Sequence, residues 1–101
     1  MITESYWINP IINFGVIKRN KVKEFIYQGL PTMPTILKIA PGCGCTTVKY
    51  DTETKQLRVT YKSGEMPKHI KTDSMEVLKF ITITYAKGLQ EVLHLKGIKT
   101  K

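Results

Sequence analysis

Residues 40–47 of this 101-residue chain read Ala40-Pro41-Gly42-Cys43-Gly44-Cys45-Thr46-Thr47. Apolar runs punctuated by Asn, Gly and Pro precede this stretch, and three longer runs of alternating apolar and polar residues follow it. Three of the five residues from 41 to 45 are Pro or Gly, which interrupt a regular strand. The stretch therefore predicts a bend between two strands.

The two cysteines of this bend admit several interpretations. Two thiolates can bind a metal, but the other soft ligands, His69 and His94, lie far along the chain in no recognisable spacing. The pair can also form a redox disulfide, which requires a tight turn at Gly44, or supply one reactive nucleophile. We favour a structural role, in which Cys43 and Cys45 are small buried side chains with free thiols.

Period-two alternation on both sides of the bend predicts β-strands. The clearest case is residues 56–62, where Leu57, Val59 and Tyr61 face one way and the polar residues between them face the other. In the strand before the bend, the same alternation places Leu37 and Ile39 on one face. The full set of predicted strands covers residues 11–17, 22–28, 35–40, 46–50, 56–62, 76–86 and 89–98.

Strands at spacings near ten residues, with no stretch of helical periodicity, predict the fold class. We expect an all-β, antiparallel immunoglobulin-like β-sandwich of seven to eight strands. A length of 101 residues and an apolar content of 42% suit one domain with a modest core. This single domain spans residues 1–101, with an N-terminal arm at 1–10 and the sandwich core at 11–98.

The first residues contain neither the basic region nor the apolar region of a secretory signal peptide. No apolar run approaches the roughly 20 residues of a membrane span. We therefore expect a location in a virion or in a cytoplasm, and no secretion by a signal peptide. A cytoplasm would keep both cysteines reduced.

The net charge of +8 comes from fourteen Lys and two Arg against eight acidic residues. Such a balance favours an acidic partner or a solvated lysine-rich surface. We do not expect nucleic acid as the partner, because base reading and bidentate phosphate binding favour Arg over Lys. We interpret the charge first as a solvated lysine-rich surface, with an acidic protein partner as the alternative.

An ordered series of short motifs resembles one protein family. The series is Asn13-Phe14-Gly15, Phe25, Leu37-Lys38-Ile39, Cys43-Gly44-Cys45-Thr46 and Leu93-His94-Leu95-Lys96-Gly97. It resembles the immunoglobulin-like domains of the Cys-Gly-Cys-Thr family of unknown function, which are relatives of the Hydin-type (ASH) domains. The resemblance spans roughly residues 11–98. It implies a sandwich fold with Gly42 to Thr46 as a structural motif, and it implies no activity.

Nothing in the sequence indicates catalysis. It contains no Gly-rich phosphate loop, no metal ligands at a recognised spacing and no candidate triad. We therefore predict a protein that is not an enzyme and that needs no cofactor and no small-molecule substrate. By analogy with other sandwich domains, we expect an auxiliary or decoration protein on a bacteriophage capsid. The alternative is a general intracellular protein-binding immunoglobulin-like module of a larger assembly.

Two segments are predicted to contact the protein partner. Tyr6 and Trp7 lie in the arm, outside the family resemblance, and large aromatic side chains are the usual anchors of an interface. For Trp7 two roles stay open, a core residue and an exposed anchor. Lys68, His69 and Lys71 lie in the longest connection, residues 63–75, and add positive charge there. We expect the partner to contact both segments, with binding that weakens as salt rises.

Overall fold

The computed structural model describes residues 5–66, 68–69 and 71–101. Its seven strands are β1 (Ile11–Lys18), β2 (Val22–Gln28), β3 (Ile36–Pro41), β4 (Thr46–Asp51), β5 (Gln56–Lys62), β6 (Ser74–Tyr85) and β7 (Gln90–Thr100). One short 3-10 turn, Ala86–Gly88, joins β6 to β7. Each predicted strand is present, with limits that differ by at most two residues. The prediction of a β-sandwich is confirmed.

The strands form a four-stranded sheet, in the order β1-β7-β6-β3, and a three-stranded sheet, in the order β2-β5-β4. All ladders are antiparallel except that between β1 and β7, which is parallel. Between β3 and β4 the chain leaves the first sheet and enters the second. The predicted bend at residues 42–45 is therefore the passage between the two sheets.

The pairing registers place the connections at two opposite ends of the sandwich. Residues 19–21, 42–45, 63–66, 68–69 and 71–73 lie at one end, here called the cysteine end. The segment 5–10 and residues 29–35, 52–55 and 86–89 lie at the other, here called the tryptophan end. The two ends of β6 are about 36 Å apart, given a rise of about 3.3 Å per residue.

The core lies between the two sheets and consists of the inward-facing side chains of their strands. The prediction for β5 is confirmed, since Leu57, Val59 and Tyr61 are buried and the residues between them are not. Tyr27 reaches across the core from β2, and its hydroxyl donates to the His94 carbonyl of β7 over 2.6 Å. This hydrogen bond satisfies the buried hydroxyl and links the two sheets.

Two irregularities change which side chains face outward. In β3 the register shifts between Ile36 and Lys38, so Leu37 points to solvent and is 66% exposed. The prediction that Leu37 shares the inward face of Ile39 is therefore wrong, because simple alternation does not hold across a bulge. In β1 a shift at Gly15, which has a φ of +74°, turns Val16 outward and Ile17 inward.

Candidate partner-binding face

Trp7 is part of the core. Its side chain is only 2% exposed, and its Nε1 donates to the hydroxyl of Tyr85 over 2.8 Å. The ring also makes edge contacts with the rings of Tyr27 and Tyr50. The prediction that Trp7 anchors a partner is wrong, because the arm folds back and pairs with Gly29 instead of extending from the sandwich.

Tyr6 and the preceding residue are held by one carboxylate at the tryptophan end. Glu91 accepts hydrogen bonds from the Ser5 hydroxyl, from the Tyr6 backbone N–H at 3.3 Å and from the Tyr85 hydroxyl at 2.7 Å. The Tyr6 ring packs edge-on against Tyr85. Burial, and then the hydrogen bond to Glu91, raise the pKa of Tyr85. These contacts explain how the segment is fixed to the sandwich.

The charged residues of the long connection lie at the opposite end. Lys68 and His69 occupy an exposed turn at the cysteine end, and Lys71 is exposed nearby. The buried ammonium of Lys99 fixes the start of this connection, since Nζ donates to the carbonyls of Ser63 at 2.7 Å and of Glu65 at 3.0 Å. The fold does not bring the two predicted contact segments together.

Cys43 and Cys45 form a disulfide, with their Cα atoms 5.4 Å apart. Both residues are half-buried. The prediction of free thiols on two buried side chains is therefore wrong. The backbone turns tightly enough at Gly44 to bring the sulfurs together, which an extended strand would not do.

The outer surface of the four-stranded sheet carries more large apolar side chains than that of the three-stranded sheet. Six large ones lie there with exposed fractions between 41% and 58%, and we call them together the apolar face. The apolar face consists of Ile11, Val16, Leu78, Phe80, Val92 and Ile98. Large exposed apolar patches on soluble domains mark contact sites for proteins or membranes.

Strand pairing brings the members of the apolar face together from β1, β7 and β6, with His94 and Lys96 of β7 between them. Val16 lies opposite Ile98, and Ile11 lies opposite His94, which is opposite Phe80 in turn. The rings of Phe80 and His94 meet edge-to-face with their centroids 5.1 Å apart. A shallow groove crosses this surface and is lined in part by Val16, Leu78, Lys96 and Ile98.

Lysines lie within and beside the apolar face. Lys18, Lys38 and Lys96 are exposed on the outer side of the same sheet, against one exposed carboxylate among the described residues there, Glu76. Lys96 lies on the interior strand β7 and pairs with Leu78 of β6, so positive charge lies directly beside apolar surface. The arrangement suits a partner surface that combines apolar and acidic groups.

The outer surface of the three-stranded sheet has a different character. Its exposed side chains are mainly polar or charged, and Arg58 and Glu24 form an ion pair across β5 and β2 at 3.3 Å. Two exposed apolar side chains lie there, Val22 and Ile26, both on β2. The apolar surface is therefore concentrated on one sheet.

Sequence reasoning missed the apolar face, although β6 carried a signal for it. Apolar residues occupy both the inward positions of this strand, such as Val77 and Ile81, and the outward positions Leu78 and Phe80. A strand that is apolar on both sides indicates a sheet whose second face is also covered.

Among the described residues, no group of three or more His, Cys, Asp or Glu side chains is placed to hold a metal ion. Within the same residues, no helix has both the length and the apolar character that crossing a membrane requires.

Comparison with known proteins supports the fold. No protein-family profile and no curated protein matches the chain. A solved structure that resembles it is a mutant of the SrpA adhesin from Streptococcus sanguinis, with a TM-score of 0.55 and 12% sequence identity. The alignment covers 88% of this chain and 57% of the adhesin chain. At this identity the likeness shows that the two chains share a sandwich fold.

Proposed function

We propose that the chain is a non-enzymatic protein-binding module that docks through the apolar face. The observation that carries this proposal is the concentration of six half-exposed, large apolar side chains on one sheet. Burying such a patch releases free energy of roughly 25 cal/mol per Å² of apolar area. The similarity to an adhesin is consistent with a sandwich used for binding.

The partner that fits best is a protein surface with both acidic and apolar groups. Three lysines and one glutamate lie within or beside the apolar face, and the whole chain carries a net charge of +8. A second copy would bring the same lysines against each other, which disfavours self-association. The lysines also give an acidic partner faster and better oriented encounters.

Within this class, we propose a bacteriophage capsid as the assembly and the virion as the location. A single basic sandwich domain with one apolar face suits a subunit that coats a larger surface in many copies. The family resemblance to Cys-Gly-Cys-Thr domains is likewise retained as a proposal. A general protein-binding module of another intracellular assembly is the alternative, and the copy number in native particles distinguishes the two.

The test compares two double variants with matched chemistry. Val16→Asp with Ile98→Asp changes the apolar face, where these side chains are 58% and 41% exposed. Val22→Asp with Ile26→Asp changes the other sheet, where the exposures are 59% and 42%. Each variant is expressed in the native source, and its copies per isolated particle are counted by quantitative mass spectrometry.

We expect the first double variant to lose at least about tenfold in affinity, which corresponds to roughly 1.4 kcal/mol, and therefore to be present in fewer copies per particle. The control should bind like the unmodified chain, and both variants should remain folded. Equal occupancy of the two variants would contradict the proposal. A dimer of the free chain that only the first variant dissociates would assign the apolar face to self-association instead.

A further inference from the structure

The Cys43–Cys45 disulfide closes a very small ring, with Gly44 as the single residue between its cysteines. In the chain-entropy account, a disulfide stabilises a fold by restricting the unfolded chain, and the effect grows with the length of the closed loop. A loop with one residue between its cysteines provides nearly the smallest stabilisation that a disulfide can give. The bond is therefore poorly suited to be a structural staple.

Backbone hydrogen bonds hold the surrounding chain without the disulfide. On one side of it, the Gly42 N–H donates to the Phe80 carbonyl over 2.8 Å. On the other side, the Lys62 N–H donates to the Cys45 carbonyl over 2.9 Å. Both ends of the bend are thus anchored to neighbouring strands, so the sulfur bond can open while the sandwich stays folded.

Each sulfur has a hydrogen-bond donor beside it. The Cys45 N–H donates to Cys43 Sγ over 3.1 Å. The hydroxyl of buried Thr46 lies 3.6 Å from Cys45 Sγ and can donate to it. Donors of this kind stabilise a thiolate, and a stabilised thiolate is the better leaving group when a disulfide is attacked.

We propose that Cys43 and Cys45 form an exchangeable redox pair whose substrates are thiols of the glutathione or protein-dithiol class. This proposal does not depend on the apolar face. Cys45 packs against the core and lies beside Thr46, whereas Cys43 is not among the residues that pack there. Cys43 Sγ is therefore the atom attacked, and Cys45 Sγ is the leaving group.

The exchange runs in two balanced steps. A substrate thiolate attacks Cys43 Sγ and forms a mixed disulfide; the Cys43–Cys45 bond breaks, and its electron pair leaves on Cys45 Sγ, which takes a proton from solvent. A second substrate thiolate then attacks the substrate sulfur of the mixed disulfide and releases Cys43, which is also protonated. Two thiols thereby give up two electrons and form a disulfide, while the protein pair gains two electrons and two protons. Oxidised glutathione reverses both steps.

The test uses the whole oxidised chain in buffers of varied ratio of reduced to oxidised glutathione. Samples are quenched by alkylation, and the fraction with two labelled cysteines is read by mass spectrometry. We expect a reversible transition within the range of these buffers. Circular dichroism and the midpoint of chemical unfolding should stay the same on reduction.

Substitution of Thr46 examines its positioning role separately from the fold. Thr46→Val removes the hydroxyl at similar volume, and it should slow the reduction of the disulfide by glutathione by about fivefold, because the departing Cys45 thiolate loses one hydrogen bond. Thr46→Ser should restore the original rate. An unchanged rate in the folded Val variant would contradict the role of Thr46.

Three results would overturn the redox pair itself. Immediate alkylation of both cysteines in the untreated chain would show free thiols. Reduction that requires denaturant would show an inert bond. Unfolding on reduction would show a structural staple.

Discussion

Trp7 shows how one side chain changes the interpretation of a whole segment. Its ring is buried and its Nε1 donates to Tyr85, so Trp7→Ala should lower the free energy of unfolding by about 3–5 kcal/mol, as for other buried aromatic residues. Trp7→Phe should cost less, because it keeps much of the packing and loses the hydrogen bond. Chemical unfolding followed by circular dichroism measures both. If Trp7→Ala stayed folded with unchanged stability but no longer bound the partner, Trp7 would be an interface residue and not a core residue.

Asp51 gives a pH-dependent prediction at the turn between β4 and β5. Its carboxylate accepts hydrogen bonds from the backbone N–H groups of Glu53, at 2.9 Å, and Thr54, at 3.3 Å, and these hold its pKa below the usual range. Because the pKa is lower in the folded state, the stability from this group is present above the unfolded-state pKa and is lost as pH falls through the folded-state pKa.

Asp51→Asn supplies the matched control for that prediction, since it keeps an acceptor oxygen at the turn and does not titrate. We expect the unmodified chain to lose more unfolding free energy than Asp51→Asn as the pH falls below the usual range of a carboxyl group. NMR titration of the side-chain carboxyl carbon gives the pKa directly. Identical pH profiles for the two proteins would contradict the assignment.

Single residues differ in how far the sequence determines their environment. The alternating pattern correctly predicts that Leu57, Val59 and Tyr61 lie in the core. One face of the sheet is buried and the other faces solvent, so apolar residues occupy every second position of the strand. The bond between Cys43 and Cys45 depends on the turn at Gly44, which the residue types permit but do not require. Trp7 was misassigned because its partners, such as Tyr85, lie far away in sequence.

At the level of elements, the limits of the strands can be predicted from the sequence more accurately than which of their side chains face inward. The seven strands begin and end where Gly, Pro and polar clusters interrupt the alternation. The bulges at Leu37 and Gly15 depend on pairing with distant strands, β6 and β7. Local sequence does not specify these partners, so the register shifts were not predicted.

The strand β5 supplies the sharpest test of an element. Val59 is fully buried between two paired strands, so Val59→Asp places an unpaired charge in the core and should cost at least about 4 kcal/mol, a large share of the stability of such a domain. Arg58→Asp breaks an exposed ion pair with Glu24, which should cost at most about 1 kcal/mol. Soluble yield and chemical unfolding compare the two variants. Similar results for both would mean that the face assigned to β5 is wrong.

The whole molecule is distinguished by the difference between its two outer surfaces. One sheet carries the six exposed apolar side chains of the apolar face, together with exposed lysines, whereas the other is largely polar. The sequence predicts a basic protein-binding sandwich, but the segments that it predicts to contact the partner lie at the two ends of the sandwich. The apolar face could not be assembled from sequence, because it joins residues of β1, β6 and β7 that only the strand order brings together.

Footprinting of the chain in its native assembly tests the apolar face most directly. Hydroxyl radicals label exposed side chains, and mass spectrometry compares the labelling of each residue in the free and the assembled chain. We predict strong protection of Leu78 and Phe80 in the assembly, with labelling of Ile26 on the other sheet unchanged. Unchanged labelling of Leu78 and Phe80, together with protection of Ile26, would contradict the proposal that this domain binds through its four-stranded sheet.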